Sequence, residues 1–457
     1  MESKHPVGIE LETLKILELA LNRLSSGFQE LDSFRPEPVD VTKLESVLLE
    51  VADRMKDNFP YFHPQYAGQI MKPPHPAARL AYMLSLYINP NNHALDGGRA
   101  SSYMEKEAVA MIAGMYGWEK FIGHLTSGGT MANLEGLWVS GLLNPGRLIV
   151  ASSQSHYTHE RMSKLLGLPF RKVAVDHSAK MSIPDLQKML DTEDVGTVVA
   201  TVGTTAAGMV DPIPEILKLQ EKYHFRIHVD AAYGGYFALA RNLAPATQEI
   251  FDHLTEVDSI VVDPHKHGMQ PFGCGCVLFK DPTVGRFYKH DSPYTYFTSD
   301  ELHLGEISLE CSHPGAAAVA LWATQKMVPP VRGGELSDSM EKGRRAALSF
   351  HEKLKSDRRF MTPFDPDLDI VIWAPVASSV SEASGMSRKL FEEAQKNQLH
   401  LALADLPVDF FDLRETGMAK DEDHIVCLRS VLMKPEHEDW LGRIWDILDR
   451  SAENIGL

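Results

Sequence analysis

The sequence predicts an α/β protein whose mostly parallel sheet carries helices on both faces. Two observations lead there. From about residue 77, short apolar runs alternate with amphipathic stretches of helical period, which is how strands joined by crossover helices read. At 457 residues the chain is also long enough for two or three folding units.

The first elements are helical. Ile9, Leu11, Leu14, Leu17 and Leu21 recur at mainly helical spacing, and Val41 to Met55 is a second amphipathic stretch. Pro60, Pro64, Pro73, Pro74 and Pro76 then mark an arm or linker rather than a core element. Strands are expected at Leu148–Ala151, Lys172–Val175, Thr197–Val202, Arg226–Val229, Ser259–Val262 and Gly275–Phe279. The helices among them are Met104–Met115, Gly129–Gly141, His156–Leu165, Ile183–Leu190 and Ile213–Tyr223. The pattern changes again near Pro329-Pro330-Val331-Arg332-Gly333-Gly334. A long helix (Ser337–Leu354), a strand (Leu368–Trp373), a helix (Glu382–Lys396), a strand (His424–Val431) and a last helix (Pro435–Ser451) form a smaller α/β unit. The expected division is 1–76, 77–330 and 331–457. No repeat or low-complexity segment interrupts it.

Composition narrows the function classes. With 45 basic and 62 acidic residues the net charge is −17, which argues against nucleic acid as a partner, because phosphate backbones need a basic surface. The N-terminus is charged and lacks the apolar segment of a signal peptide, and no stretch approaches the ~20 apolar residues of a membrane helix. Cys274, Cys276, Cys311 and Cys427 show no zinc-type spacing and read as buried thiols of a reducing compartment. The expected location is the cytoplasm.

Five segments carry chemistry. In Val261-Val-Asp-Pro-His-Lys-His-Gly268 a strand delivers Lys266 between His265 and His267, the kind of amine that forms a Schiff base with an aldehyde cofactor. In His228-Val-Asp-Ala-Ala-Tyr-Gly-Gly235, Asp230 ends a strand. A carboxylate there suits a pyridine nitrogen, and Ala232 suits the underside of a flat ring. Capping of a following helix is the competing role for Asp230. Leu125-Thr-Ser-Gly-Gly-Thr-Met-Ala-Asn133 is a glycine-rich turn opening a helix, hence an anion site, with hydroxyls from Ser127 and Thr130. It has neither the lysine of a nucleotide-binding loop nor dinucleotide spacing. In Ser152-Ser-Gln-Ser-His-Tyr-Thr-His-Glu160, His156 can stack on a ring. A metal held by His156 and His159 lacks a third ligand, so no metal is expected. Thr201-Val-Gly-Thr-Thr-Ala-Ala-Gly208 offers hydroxyls to a phenolic oxygen or carboxylate. Each segment alone has a plain structural alternative; their order and their shared place at strand ends select one reading.

Ser127-Gly-Gly-Thr130, Ser155-His-Tyr157, His228-Val-Asp-Ala-Ala232 and Asp263-Pro-His-Lys266, in that order, resemble the group II pyridoxal-phosphate (PLP) decarboxylases of fold type I, the aspartate-aminotransferase-like fold. Asn89-Pro-Asn-Asn-His93 and Tyr103-Met-Glu-Lys-Glu107 are similar to the family's early region, and the bacterial tyrosine and aromatic amino-acid decarboxylases look nearest. The resemblance implies a PLP-dependent carboxy-lyase that converts an L-amino acid, aromatic or bulky, to its amine and carbon dioxide. It implies Lys266 as the Schiff-base lysine, Asp230 at the pyridine nitrogen and His156 on the ring face. Ser127, Gly128, Gly129, Thr130 and His265 fall to the phosphate, and Thr205 lies near the ring or the substrate carboxylate. It also implies a homodimer with sites between subunits, where Tyr66, Met71 and His93 shape a substrate pocket. The proton donor is expected among Tyr288, Tyr294, Tyr296 and His303. Phe272 departs from the tyrosine often found there in bacterial tyrosine decarboxylases, and the 290–305 loop departs from the animal enzymes. The same scaffold also supports aldehyde-forming, retro-aldol and transamination reactions, and a cofactor-binding regulator is the non-enzymatic alternative. Arg99 and Arg429 are the candidates for an acidic substrate.

Overall fold

The computed structural model describes residues 12–289 and 302–457. Helices α1 (Glu12–Ser26) and α2 (Val41–Met55) lead the chain, followed by α3 (Pro76–Ser85) and α4 (Leu95–Met115). Asp40 caps α2 by accepting from the Lys43 N–H, and α4 carries a kink at Gly98.

The large sheet takes β1 (Ile122–Thr126), β2 (Leu148–Ser152), β3 (Phe170–Val173), β4 (Val195–Thr201), β5 (Arg226–Asp230), β6 (Ser259–Val262) and β7 (Gly275–Phe279), in the order β1-β7-β6-β5-β4-β2-β3. From β6 to β3 every pairing is parallel, and β7 runs antiparallel to both its neighbours. Parallel strands need crossovers. These are α5 (Gly129–Leu143), α6 (Thr158–Leu165), α7 (Ile183–Thr192), α8 (Ile213–Tyr223) and α9 (Pro245–Asp252). Strands β2, β4, β6 and β7 are buried along their whole length, as a sheet covered on both faces requires.

Helix α10 (Gly315–Met327) packs on α3 and α4, and α11 (Glu335–Ser356) leads on to a second sheet. That sheet is antiparallel: β8 (Phe360–Met361), β9 (Ile370–Pro375), β10 (Ala402–Pro407) and β11 (His424–Val431), in the order β10-β11-β9-β8. It is covered by α11 and α12 (Val380–Lys396), on which α14 (His437–Asn454) packs, with the short α13 (Leu413–Thr416) in a connection.

Several expectations need correction. The proline-rich passage is not merely a linker. Tyr66 and Ala67 are buried, Tyr66 bridges His400, and the Ala67 carbonyl accepts from Val431 N–H at 2.8 Å, so this stretch extends the small sheet's packing. β3 starts two residues early, because Val175 leaves the sheet to bridge Met181. Cys311 is exposed in a loop, unlike the three buried thiols. Strands β1, β8 and β10 and helices α3, α9, α10 and α13 were not expected at all.

Candidate active site

Because β1 and β6 both flank β7 antiparallel, β1 runs the same way as the parallel strands. The loops after β1, β2, β4, β5 and β6 therefore leave from one edge, where ligands sit in open α/β sheets. They enclose a cleft of about 370 Å³.

Lys266 enters this cleft from the turn after β6, its Nζ 2.9 Å from Asp263 Oδ2. Asp263 is 2% exposed, and its Oδ1 has no hydrogen-bond partner among the described residues. The His265 Nδ1–H donates to the Cys274 carbonyl at 2.8 Å, which aims Nε2 into the cleft, 3.6 Å from the same Asp263 oxygen. Burial, with the Lys266 charge adding to it, keeps the His265 ring below its ordinary range.

Asp230 lines the cleft at the end of β5. Burial would raise its pKa, but donors outweigh burial: His159 at 2.8 Å, the Ala232 N–H at 3.1 Å and the nearby Lys266 hold the carboxyl well below the usual range. His156 follows β2, and burial pushes its ring toward the neutral form, helped by Lys266 and His159. Ala232 and Thr205 line the same cleft.

The glycine turn has the shape the anion reading needs. Gly128 has φ +143°, a conformation other residues rarely adopt, and it precedes the 15-residue α5. A Cβ on Gly129 would lie 2.7 Å from the Asp263 carboxylate, so only glycine fits against that wall. Ser127 and Thr130 are exposed at the cleft, and the Ser127 N–H donates to Glu310 Oε2 at 3.2 Å. Thus Ser127, Gly128, Gly129, Thr130, His156, Thr205, Asp230, Ala232, His265 and Lys266 all converge.

The expected substrate residues do not converge in this way. Tyr66 and Met71 line a different cleft, with Phe59, His400 and Leu403 of the small unit's surroundings. His303 is 1% exposed and structural: its Nδ1 accepts from Leu95 N–H, and its own N–H is capped by Glu306. His93 packs beside Gly305 on the same segment. Tyr288 is buried against Trp138 and is not among the residues lining the cleft, and burial together with Glu135 pushes its hydroxyl pKa far up. Phe272 is exposed, its ring 4.9 Å from that of His265. Tyr294 and Tyr296 lie outside the described residues. Arg99 is exposed, whereas Arg429 on β11 is 6% exposed and reaches Gln69 Oε1 at 3.5 Å. Asp263 and His159 were missed as site residues. Asp263 stands three before Lys266, and His159 three after His156, which was the only signal either gave. Among the described residues no group of three metal-ligating side chains gathers, and no helix is long and apolar enough to cross a membrane.

A family model described as the pyridoxal-dependent decarboxylase conserved domain matches residues 138–374, just over half the chain. The chain is 29% identical to an L-aspartate decarboxylase of Thermococcus kodakarensis, over 62% of this chain and 72% of the relative. It is 25% identical to an L-tyrosine decarboxylase of Enterococcus faecium, over 86% and 85% respectively. The fold matches a crystal structure of Oryza sativa TDC with PLP and tryptamine at a TM-score of 0.77, with 16% identity over 98% of this chain and 99% of that one.

Proposed function

The chain belongs to the pyridoxal-dependent decarboxylase family, and from that premise we propose that Lys266, Asp230 and His156 hold pyridoxal 5′-phosphate in the strand-end cleft to decarboxylate an aromatic or otherwise bulky L-amino acid. The protein is a PLP-dependent carboxy-lyase acting on an amino acid. The observation that carries the site assignment is the convergence of an amine, an ionised carboxylate, a neutral imidazole and a glycine turn in one cleft.

The residues present fit the group. The turn at Ser127–Thr130 presents backbone and hydroxyl donors at a helix N-terminus for the phosphate, and His265 Nε2 faces the same space. Bound PLP supplies an aldehyde that captures amines and a ring that accepts the electrons left by carbon dioxide. Asp230, held as an anion, would keep a proton on the ring nitrogen. His156 and Ala232 line the cleft and would flank the ring, His156 as a flat imidazole that would exclude water and Ala232 as a small methyl that would leave room. Lys266 gives or takes a proton at Nζ, with Asp263 Oδ2 in reach at 2.9 Å. Thr201 and Thr205 line the cleft with hydroxyls for a substrate carboxylate or the ring oxygen. Arg429 is the candidate partner of a substrate carboxylate, because its Nε and Nη2 are buried with no hydrogen-bond partner among the described residues.

The working assembly is a homodimer. Helix α2 has no buried residue, yet Val41, Leu44, Leu48, Val51 and Met55 fall on one face of it, and each is exposed. A second copy is the partner that covers this face. The units are divided at 76/77 and 330/331, and the compartment is the cytoplasm.

The test is to load the protein with PLP, record its absorption spectrum with a panel of amino acids, and measure amine and carbon dioxide. A cofactor band that is absent in Lys266→Ala, with equimolar amine and carbon dioxide from a bulky L-amino acid, supports the whole reading. An aldehyde or keto-acid product overturns the assigned reaction. A cofactor band that persists in Lys266→Ala overturns the site.

A further inference from the structure

The Asp230 carboxylate has a partner that the cleft itself hides. His159 lies in the first turn of α6, is 0% exposed, and donates from Nε2–H to Asp230 Oδ2 at 2.8 Å. The other oxygen, Oδ1, accepts from the Ala232 N–H at 3.1 Å. Each oxygen thus has one protein donor and a lone pair to spare for a ligand. His159 Nδ1 is buried with no hydrogen-bond partner among the described residues. Its one side-chain hydrogen bond among the described residues goes to Asp230, a carboxylate that lines the cleft. Close by, burial holds His228 down to about 3, and this neutral ring is fixed between Ser259 Oγ (2.8 Å) and Asn133 Oδ1 (3.0 Å), so it brings no rival charge. The other titratable groups facing Asp230 are Lys266 and the His156 ring.

We propose that His159 is a positioning residue for the decarboxylation: it holds Asp230 as an oriented anion and thereby keeps the shared proton on the cofactor's ring nitrogen. This rests on the reading that Asp230 faces that nitrogen. A proton between two bases resides on the stronger one. A donor on the carboxylate weakens it as a base, and a charge-assisted bond does so most. In a dry site, a neutral acid beside a neutral ring competes well with an ion pair. Without the His159 donor the proton passes to Asp230, and the ring loses the positive charge that makes it an electron sink.

The experiment uses holoenzyme loaded with PLP carrying ¹⁵N at the ring nitrogen. Wild type and His159→Gln, which retains an N–H donor, are expected to show a protonated ring nitrogen. His159→Phe is expected to shift toward the neutral-pyridine signal, with kcat lower by roughly ten- to hundredfold, the worth of one hydrogen bond to a charged group, and KM little changed. Should His159→Phe fail to fold, His159→Met carries the same comparison. An unchanged ¹⁵N signal and kcat in the folded variant overturn the proposal. Asp230→Asn separates the two levels. If it shifts the ¹⁵N signal and the His159 variants do not, only the role of His159 falls. If Asp230→Asn also leaves the signal unchanged, the site reading itself falls.

Discussion

Gly136→Ala tests how tightly the catalytic strand is clamped. Gly136 lies on α5 where that helix crosses β5, and a Cβ added there would sit 2.2 Å from His228 Cε1, 2.8 Å from Nδ1 and 2.9 Å from Nε2. Carbon atoms pack at about 3.5–4.0 Å, so the helix or the ring must move by more than an ångström. The ring has no free direction: it is fully buried and bonded to Ser259 and Asn133. Overpacking of this kind costs about 1–3 kcal/mol, and each displaced hydrogen bond adds about 0.5–1.5 kcal/mol. The expected loss is about 2–6 kcal/mol, read from urea unfolding followed by circular dichroism. His228 stands two residues before Asp230, so affinity for PLP should fall with it. Two variants make the cause specific. Gly385→Ala, inside α12 with nothing within 4 Å of its Cβ, should stabilise by about 0.5–1 kcal/mol through helix propensity alone. In a His228→Ala background, Gly136→Ala should cost little, giving a coupling close to its whole wild-type cost, about 2–6 kcal/mol. Equal losses from Gly136→Ala in the two backgrounds would refute the reasoning.

Acid stability should reflect opposed buried groups. Burial raises Asp369 and Asp211 to about 6, so the folded chain binds extra protons between about pH 4 and 6 and gains stability as pH falls through that window. Burial lowers His228 and His437 to about 3, so their contribution is lost as pH falls below ~6.5. The wild-type urea midpoint should change little from pH 6 to 4.5. In Asp369→Asn it should drop over that range by the equivalent of about 2 kcal/mol, and parallel curves would contradict the assignment. On α2, Leu44→Glu with Leu48→Glu should leave the chain's own stability nearly unchanged, since both residues are exposed, but shift light scattering from dimer to monomer. An unshifted dimer would mean that another surface mediates assembly.

What could be read from the sequence, and what could not, follows from where the information lies. Mostly apolar runs such as Ser259–Val262 and Gly275–Phe279 announced their strands to the residue, because burial on both faces leaves few polar positions. β1 did not, because Ile122-Gly-His-Leu-Thr126 carries only two apolar side chains and its identity as a strand depends on pairing with β7. β10 contains Asp405 and Pro407, both tolerated because it is an edge strand. α10 is apolar nearly all round and shows no helical stripe, as befits a helix lodged on α3 and α4. α3 was lost among the prolines, although a proline at the first position of a helix is favourable.

The site divides along the same line. Lys266, Asp230, His156 and the Ser127–Thr130 turn were legible because each combines a reactive type with a strand end, and strand ends are local information. His159 gave no such sign, since its role depends on a hydrogen bond to a residue 71 positions away. Asp263 was hidden differently: it is local to Lys266, but only the fold sets its carboxylate against Gly129 and the lysine amine together. Tyr66 and Met71 lie elsewhere in the single chain. Their place in the chain suggested a substrate pocket, whereas the pairing of Tyr66 with His400 draws that stretch onto the small sheet. Candidate groups that line the cleft were therefore visible one at a time. Groups that set the state of those groups became visible only once β5, α6 and the β6 turn had been brought together.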